Sequence, residues 1–207
     1  MPLHVKILLC LSAVIYFPLS QLLCISKIGT SLLLFGQPFY ILAVIALILY
    51  TPIEFIRLIK NKDSKILINH VITTITLTVS CIMGIVIGGN IRINGMKSFT
   101  ERSEPLIQAI EKFNIENGRP PDHLTDLVPK YIANIPGTGM MAYPEYQYFV
   151  GDDAMNRYVN NPWALEVNTP SGGINFDIML YFPNGNYPKT GYGGSLEIVN
   201  KWAYVHE

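Results

Sequence analysis

Cysteine is scarce in this chain of 207 residues, and so is charge: three cysteines, and only 14% Asp, Glu, Lys and Arg. Cys10, Cys24 and Cys81 all fall in hydrophobic stretches. The C-terminal half therefore has no thiol for a disulfide framework or a cysteine metal site. Its length, about 115 residues, is enough to bury a core without such staples. A basic surface is missing as well. Up to Asn90 there are six Lys and Arg against two Asp and Glu, giving +4; the remaining nine against thirteen give −4. A mildly acidic domain is a poor match for phosphate backbones, so nucleic acid is not among the expected partners. No cofactor signature is present. After Asn90 the only histidines are His123 and His206, and Ser171-Gly-Gly lacks the strand and helix context of a nucleophile elbow. The chain reads as a non-enzyme with neither cofactor nor resident metal.

Long hydrophobic runs, by contrast, are abundant. They extend over Val5–Ile25, Ser31–Ile53 and Ile66–Gly89. Each has the roughly 20 apolar residues with which an α-helix crosses about 30 Å of hydrocarbon. The densest basic segment, Arg57 to Lys65, joins the second run to the third, and positive loops stay in the cytoplasm. The N-terminus is then cytoplasmic, with everything after the third run on the far side. Bulky leucines before Cys24 leave no small-x-small cleavage site and no lipoprotein motif, so the first run reads as an uncleaved span. The candidates among polar side chains within or beside the runs are Glu54, Asn69 and His70. Such residues inside a span are functional candidates by default. Glu54 precedes Arg57 by three residues, which suits a pair on one helix face, and the set as a whole reads as anchoring and helix packing.

Gly88, Gly89 and Gly95 predict a break before a helix that starts near Ser103, with Ser103 as its N-cap and Pro105 in its first turn. Leu106, Ile107, Ile110 and Phe113 form its apolar stripe, and Asn117-Gly118 ends it. Asp122 is the expected cap of a short helix through Leu124, Leu127 and Val128. Strands follow at Tyr146–Val150, around Trp163, Leu165 and Val167, over Ile174–Phe182, and from Leu196 to Tyr204. Alternation with Gly/Pro/Asn punctuation predicts a half-buried antiparallel meander of three or four strands covered by the helix. The fold class is α+β: three N-terminal transmembrane helices (residues 1–90), then a helix-plus-sheet domain (residues 91–207).

Two site readings arise. Asp152-Asp153, with Asn156, Asn160 and Asn161 nearby, falls short of the six to eight oxygens calcium wants and reads as a solvated turn. Tyr146 and Tyr148 share a strand face and with Trp163 are the candidate ligand- or partner-binding residues; the competing reading of all three is core packing.

The segment Glu104–Phe113, then Asn117-Gly-Arg-Pro-Pro121, Leu124–Tyr131 and Ile135-Pro136, resembles the start of the soluble domain of type IV pilins and type II secretion pseudopilins. It is also similar to small bacterial membrane proteins that carry such a domain on a permanent anchor. The resemblance covers about 35 residues. It implies a long helix leading through a proline and a short helix into a sheet, on the periplasmic side of the bacterial inner membrane. No Gly–Phe processing site with a following glutamate precedes any of the three runs, so a permanently anchored protein is implied rather than a filament subunit. The expected role is docking to, or forming part of, an envelope assembly, with the lipid bilayer and another envelope protein as partners. A periplasmic domain that binds or senses a small molecule, glycan or peptide is the alternative, and a membrane-bound hydrolase the outside reading.

Overall fold

The computed structural model describes residues 3–61, 64–172 and 175–207. Lys62 and Asp63 of the basic connection, and Gly173 and Ile174 of the expected turn and third strand, lie outside the described residues. The chain forms two compact units. One is Met1–Leu22 with Ser31–Ile91; the other is Leu23–Thr30 with Arg92–Glu207.

Three long helices, α1 (Leu3–Cys24), α2 (Gln37–Asn61) and α3 (Ser64–Asn117), account for the hydrophobic runs. Segments of all three are long and apolar enough to cross a membrane. Pro38 sits in the first turn of α2, where its missing N–H costs little, while Pro18 lies inside α1. In the first unit Ala13 and Phe17 of α1 pack with Leu77 and Cys81 of α3, joined by Tyr40, Val44 and Leu47 of α2.

The expected break in α3 does not occur, since the helix is continuous from Ser64 to Asn117. The reason lies in the spacing of the glycines. A Cβ on Gly84 would stand 2.7 Å from the Ala13 carbonyl oxygen, and one on Gly88 3.1 Å from that of Phe17. Four residues apart, the two glycines share one face and let the α1 backbone come close. A glycine costs a helix roughly 1 kcal/mol relative to alanine, and close packing offsets that cost. Ser103 is consequently not an N-cap. It is buried in mid-helix, and its hydroxyl donates to Phe99 O at 2.9 Å. Pro105 is likewise internal. The helix does end where expected, with Gly118 at φ +70° and its N–H donating to Asn114 O.

In the second unit Arg92, Met96, Phe99, Ser103, Leu106 and Ile110 of α3 are buried, spaced alternately by four and three. This stripe begins about four turns earlier than the hydrophobic pattern alone places it. A 3₁₀ turn at Leu124–Leu127 follows α3. His123, rather than Asp122, precedes it, with the His123 N–H donating to Asp126 Oδ2 at 2.9 Å; Asp122 pairs instead with Arg119.

Among the described residues six antiparallel strands follow, not three or four: β1 (Gln147–Val150), β2 (Trp163–Asn168), β3 (Ile178–Tyr181), β4 (Thr190–Gly191), β5 (Gly194–Val199) and β6 (Trp202–His206). Their order, β1-β2-β3-β6-β5-β4, is no simple meander, because β6 returns to pair with β3. The register sets Leu165 opposite Tyr181 and Tyr181 opposite Trp202. One face thus presents Trp163, Leu165, Val167, Met179, Tyr181, Trp202 and Tyr204, and Phe99 of α3 meets Trp202 on it at 4.9 Å between ring centroids.

The opposite face is not solvated as expected. Ala164, Leu180 and Val205 pack there with Ala154 and Tyr158, and Tyr187 and Tyr192 close over them. Ala154 belongs to a short helix, α4 (Gly151–Arg157), so Asp152 and Asp153 lie in a first helical turn rather than in a turn between strands. Carboxylates are favourable at that end of a helix. The Ile174–Phe182 alternation fails at its start: Phe176 is 75% exposed and Asp177 is buried.

Replacing Gly84 or Gly88 by leucine is expected to destabilise the full-length protein in detergent by about 1–3 kcal/mol through overpacking against α1. Gly89→Leu is the control, because nothing lies within 4 Å of a Cβ there. Thermal unfolding of the three variants checks this, with only the first two losing stability.

Candidate functional site

The most concentrated buried polar chemistry in the second unit is centred on Arg92, only 3% exposed. Its Nε donates to the Tyr204 hydroxyl at 2.6 Å, and Nη2 donates to Thr169 O. The Tyr204 hydroxyl in turn donates to Asp177 Oδ2 at 2.7 Å. Asp177 also accepts from the Glu207 N–H at 3.1 Å and from Asn175 Nδ2 at 3.2 Å. A buried cation and a buried anion are therefore bridged by one phenol, and each is hydrogen-bonded on further sides. This is the condition under which burying two charges is tolerable. The guanidinium also lies 5.4 Å from the Tyr204 ring centroid and 5.8 Å from that of Tyr143. Tyr143 donates to Pro170 O at 2.5 Å. Burial raises the Tyr204 hydroxyl to about 12, with the Asp177 carboxylate adding to the rise and Arg92 opposing it.

The connection between α1 and α2 joins this unit. The Met141 N–H donates to Ser26 O at 3.0 Å, and a Cβ on Gly95 would collide with Ile25. Cys24 is fully buried there, its thiol 3.6 Å from Thr30 O. The network locks the start of the domain helix to β6, to the loop after β2 and to the end of the chain. Chemically it holds elements in place. In the sequence Arg92 reads only as a charge near a span; the available signal is an arginine following 26 helical residues with no other charged side chain after Lys65.

Tyr146, Tyr148 and Trp163 are brought together on the α3-covered face. Trp163 is 1% exposed, and its ring lies 6.4 Å from Tyr148 and 5.3 Å from Tyr181. Tyr146 stacks on Phe99 at 6.0 Å with its hydroxyl 2.8 Å from Ser103 Oγ, and Tyr148 donates to Pro121 O at 2.8 Å. Both phenols are raised by burial. Their hydroxyls are thus engaged with α3 and with the link that follows it.

The remaining polar residues with chemical potential are dispersed. His123 is exposed, His206 lies 2.9 Å from Glu197 Oε2, and Ser171 and Gly172 both donate through their backbone to Asn175 Oδ1. Among the described residues no three His, Cys, Asp or Glu side chains gather into a possible metal cluster. Within the first unit, Glu54 is buried and pairs with Arg57 at 2.9 Å; its Oε2 has no hydrogen-bond partner among the described residues. His70 Nε2 lies 3.0 Å from Leu47 O and 3.1 Å from Thr51 Oγ1, so it ties α3 to α2. Asn69 accepts from Lys6.

One open cleft of about 410 Å³ in the second unit is lined by Thr100, Glu101, Glu104, Asn200, Lys201 and Trp202. Lys201 and Glu104 pair across it at 2.9 Å, and Asn200 donates to Thr100 Oγ1. The Trp202 Nε1 donor has no partner among the described residues.

Arg92→Met alone is expected to cost about 3–5 kcal/mol, because it leaves Asp177 buried without its counter-charge. Combined with Asp177→Asn it is expected to cost less than the sum of the singles, which a double-mutant cycle on full-length protein measures. A pH effect follows from the tyrosines. Tyr204 titrates in the fold near 12 against an ordinary 10.0, and Tyr143, Tyr148, Tyr158, Tyr181 and Tyr187 are raised too, chiefly by burial. The folded state then holds protons the unfolded state has released. Stability is fully present below pH 10 and is lost as pH rises from 10 through 12. Tyrosinate absorbance and near-ultraviolet circular dichroism, followed together, are expected to show ionisation lagging at pH 10–11 and then rising with unfolding.

Set beside known proteins, the chain matches no protein-family model, no curated protein and no solved structure.

Proposed function

We propose that this chain is a non-catalytic protein of the bacterial inner membrane, with its N-terminus in the cytoplasm and a pilin-like domain displayed in the periplasm. That domain docks to, or forms part of, an envelope assembly. The observation that carries the reading is α3. A single helix supplies an apolar segment of membrane-spanning length and then, in the same 54 residues, the buried stripe that covers an antiparallel sheet. A long helix followed by a short helical turn and a sheet is the order on which the pilin resemblance rests. The basic Arg57–Lys65 connection supports the orientation. Tyr146 holds α3 to the sheet, Tyr148 holds the link after α3, Trp163 is buried between Tyr148 and Tyr181, and Tyr158, Tyr187 and Tyr192 cover the other face. The aromatic residues thus serve the fold, and apolar side chains such as Ile198, 56% exposed, are left for a partner.

The Trp202 cleft supports a second reading, a small polar ligand held between α3 and the β5–β6 turn. Its orphan indole donor would take an acceptor group.

In-cell crosslinking of the tagged full-length protein, then mass spectrometry of what co-purifies, decides between them. Docking is expected to give a stoichiometric envelope protein, lost when residues 91–207 are deleted. Recovery of the chain alone contradicts docking and directs the next screen to ligands of the Trp202 cleft.

A further inference from the structure

The first unit contains a cleft of about 270 Å³ between α1 and α3, with Lys6 and Asn69 at one end and Ile7, Leu11, Ile72 and Thr76 along its walls. Its chemistry is graded. The Lys6 ammonium donates to Asn69 Oδ1. An ammonium carries three donors, and this bond uses one while holding the charge at the cleft's end. From Asn69 the cleft continues along α3 to Thr76, about 10 Å at 1.5 Å per residue. The threonine hydroxyls on this wall return to the helix backbone, Thr73 to Asn69 O and Thr76 to Ile72 O. Their donors are thereby spent, which suits a wall against hydrocarbon.

The charged end lies at the terminus of the bundle that also carries the basic connection. Lys6 is in the first turn of α1 and Asn69 in the second turn of α3, while His70 meets Thr51 and Tyr50 in the C-terminal half of α2. Arg57, Lys60 and Lys65 belong to the same terminus. No acidic side chain lines the cleft among the described residues. Basic side chains at an interface attract anionic headgroups, each contributing about 1 kcal/mol.

We propose that this cleft is a binding site for one anionic phospholipid of the leaflet facing the Arg57–Lys65 connection, with its phosphate on Lys6 and an acyl chain along Leu11, Ile72 and Thr76. The proposal rests on the reading of α1 and α3 as membrane spans.

The test is native mass spectrometry of the full-length protein released from nanodiscs of mixed phosphatidylglycerol and phosphatidylcholine. The site is expected to retain one phosphatidylglycerol in preference to phosphatidylcholine. Lys6→Gln is expected to reduce that preference about fivefold, the weight of one basic side chain, and Thr76→Phe to expel the lipid by filling the apolar end. Lys27→Gln, in the connection after the opposite end of α1, leaves it in place. Equal retention of the two lipids, or a preference unchanged in both cleft variants, overturns the proposal. Failure of the wild-type chain to float with vesicles overturns the membrane anchor itself, and the site with it.

Discussion

The continuity of α3 is the constraint on which the remaining structure depends. A helix in hydrocarbon has to satisfy its own amides, and this one continues beyond its apolar segment to Asn117, 54 residues in all, taking in Pro105 and its missing N–H. Along it the nature of the burial changes. Up to Gly88 the buried residues are uncharged, Thr73, Leu77, Ser80 and Cys81 among them, and the helix meets α1 through Gly84 and Gly88. From Arg92 it carries a charge, then Met96 and Phe99, and meets a sheet. An unbroken helix makes that change without a loop, whose amides would need partners of their own.

Arg92 marks the change of environment. An isolated guanidinium at such a depth would be costly, and the fold answers it with Tyr204 and Asp177 on two different segments. That answer recruits sequence from far away: the loop after β2 through Thr169, the last strand through Tyr204, and the chain end through Glu207. The position of β6 in the middle of the sheet follows the same logic. Placed beside β3, it brings Tyr204 under α3 and leaves β5 and β4 as the outer strands.

Much of this is legible in the residues. Three apolar runs of sufficient length, the end of α3 at Asn117-Gly118, and the inward face of β2 at Trp163, Leu165 and Val167 follow from hydropathy and period alone. The continuity of α3 is not, because propensity weighs each glycine by itself. The Gly84-x-x-x-Gly88 spacing signals close helix contact, and that contact outweighs propensity. The second buried face is also hidden, since Ala164 and Ala203 are small and the alternation looks polar on that side. Asp177 shows the opposite failure. An acidic residue on an alternating strand reads as solvent-facing, and only its partner on another strand explains its burial. The network around Arg92 joins α3, the loop after β2 and β6, a separation that local pattern does not reach.

Amide hydrogen exchange along α3, measured on the full-length protein in a lipid bilayer, addresses the continuity of this helix most directly. The account predicts slow exchange without interruption from Gly84 through Ser103, including the amides of Gly88, Gly89 and Gly95. Fast exchange confined to Gly88–Gly95, flanked by protected amides on both sides, would show two helices with a hinge between them and would contradict it.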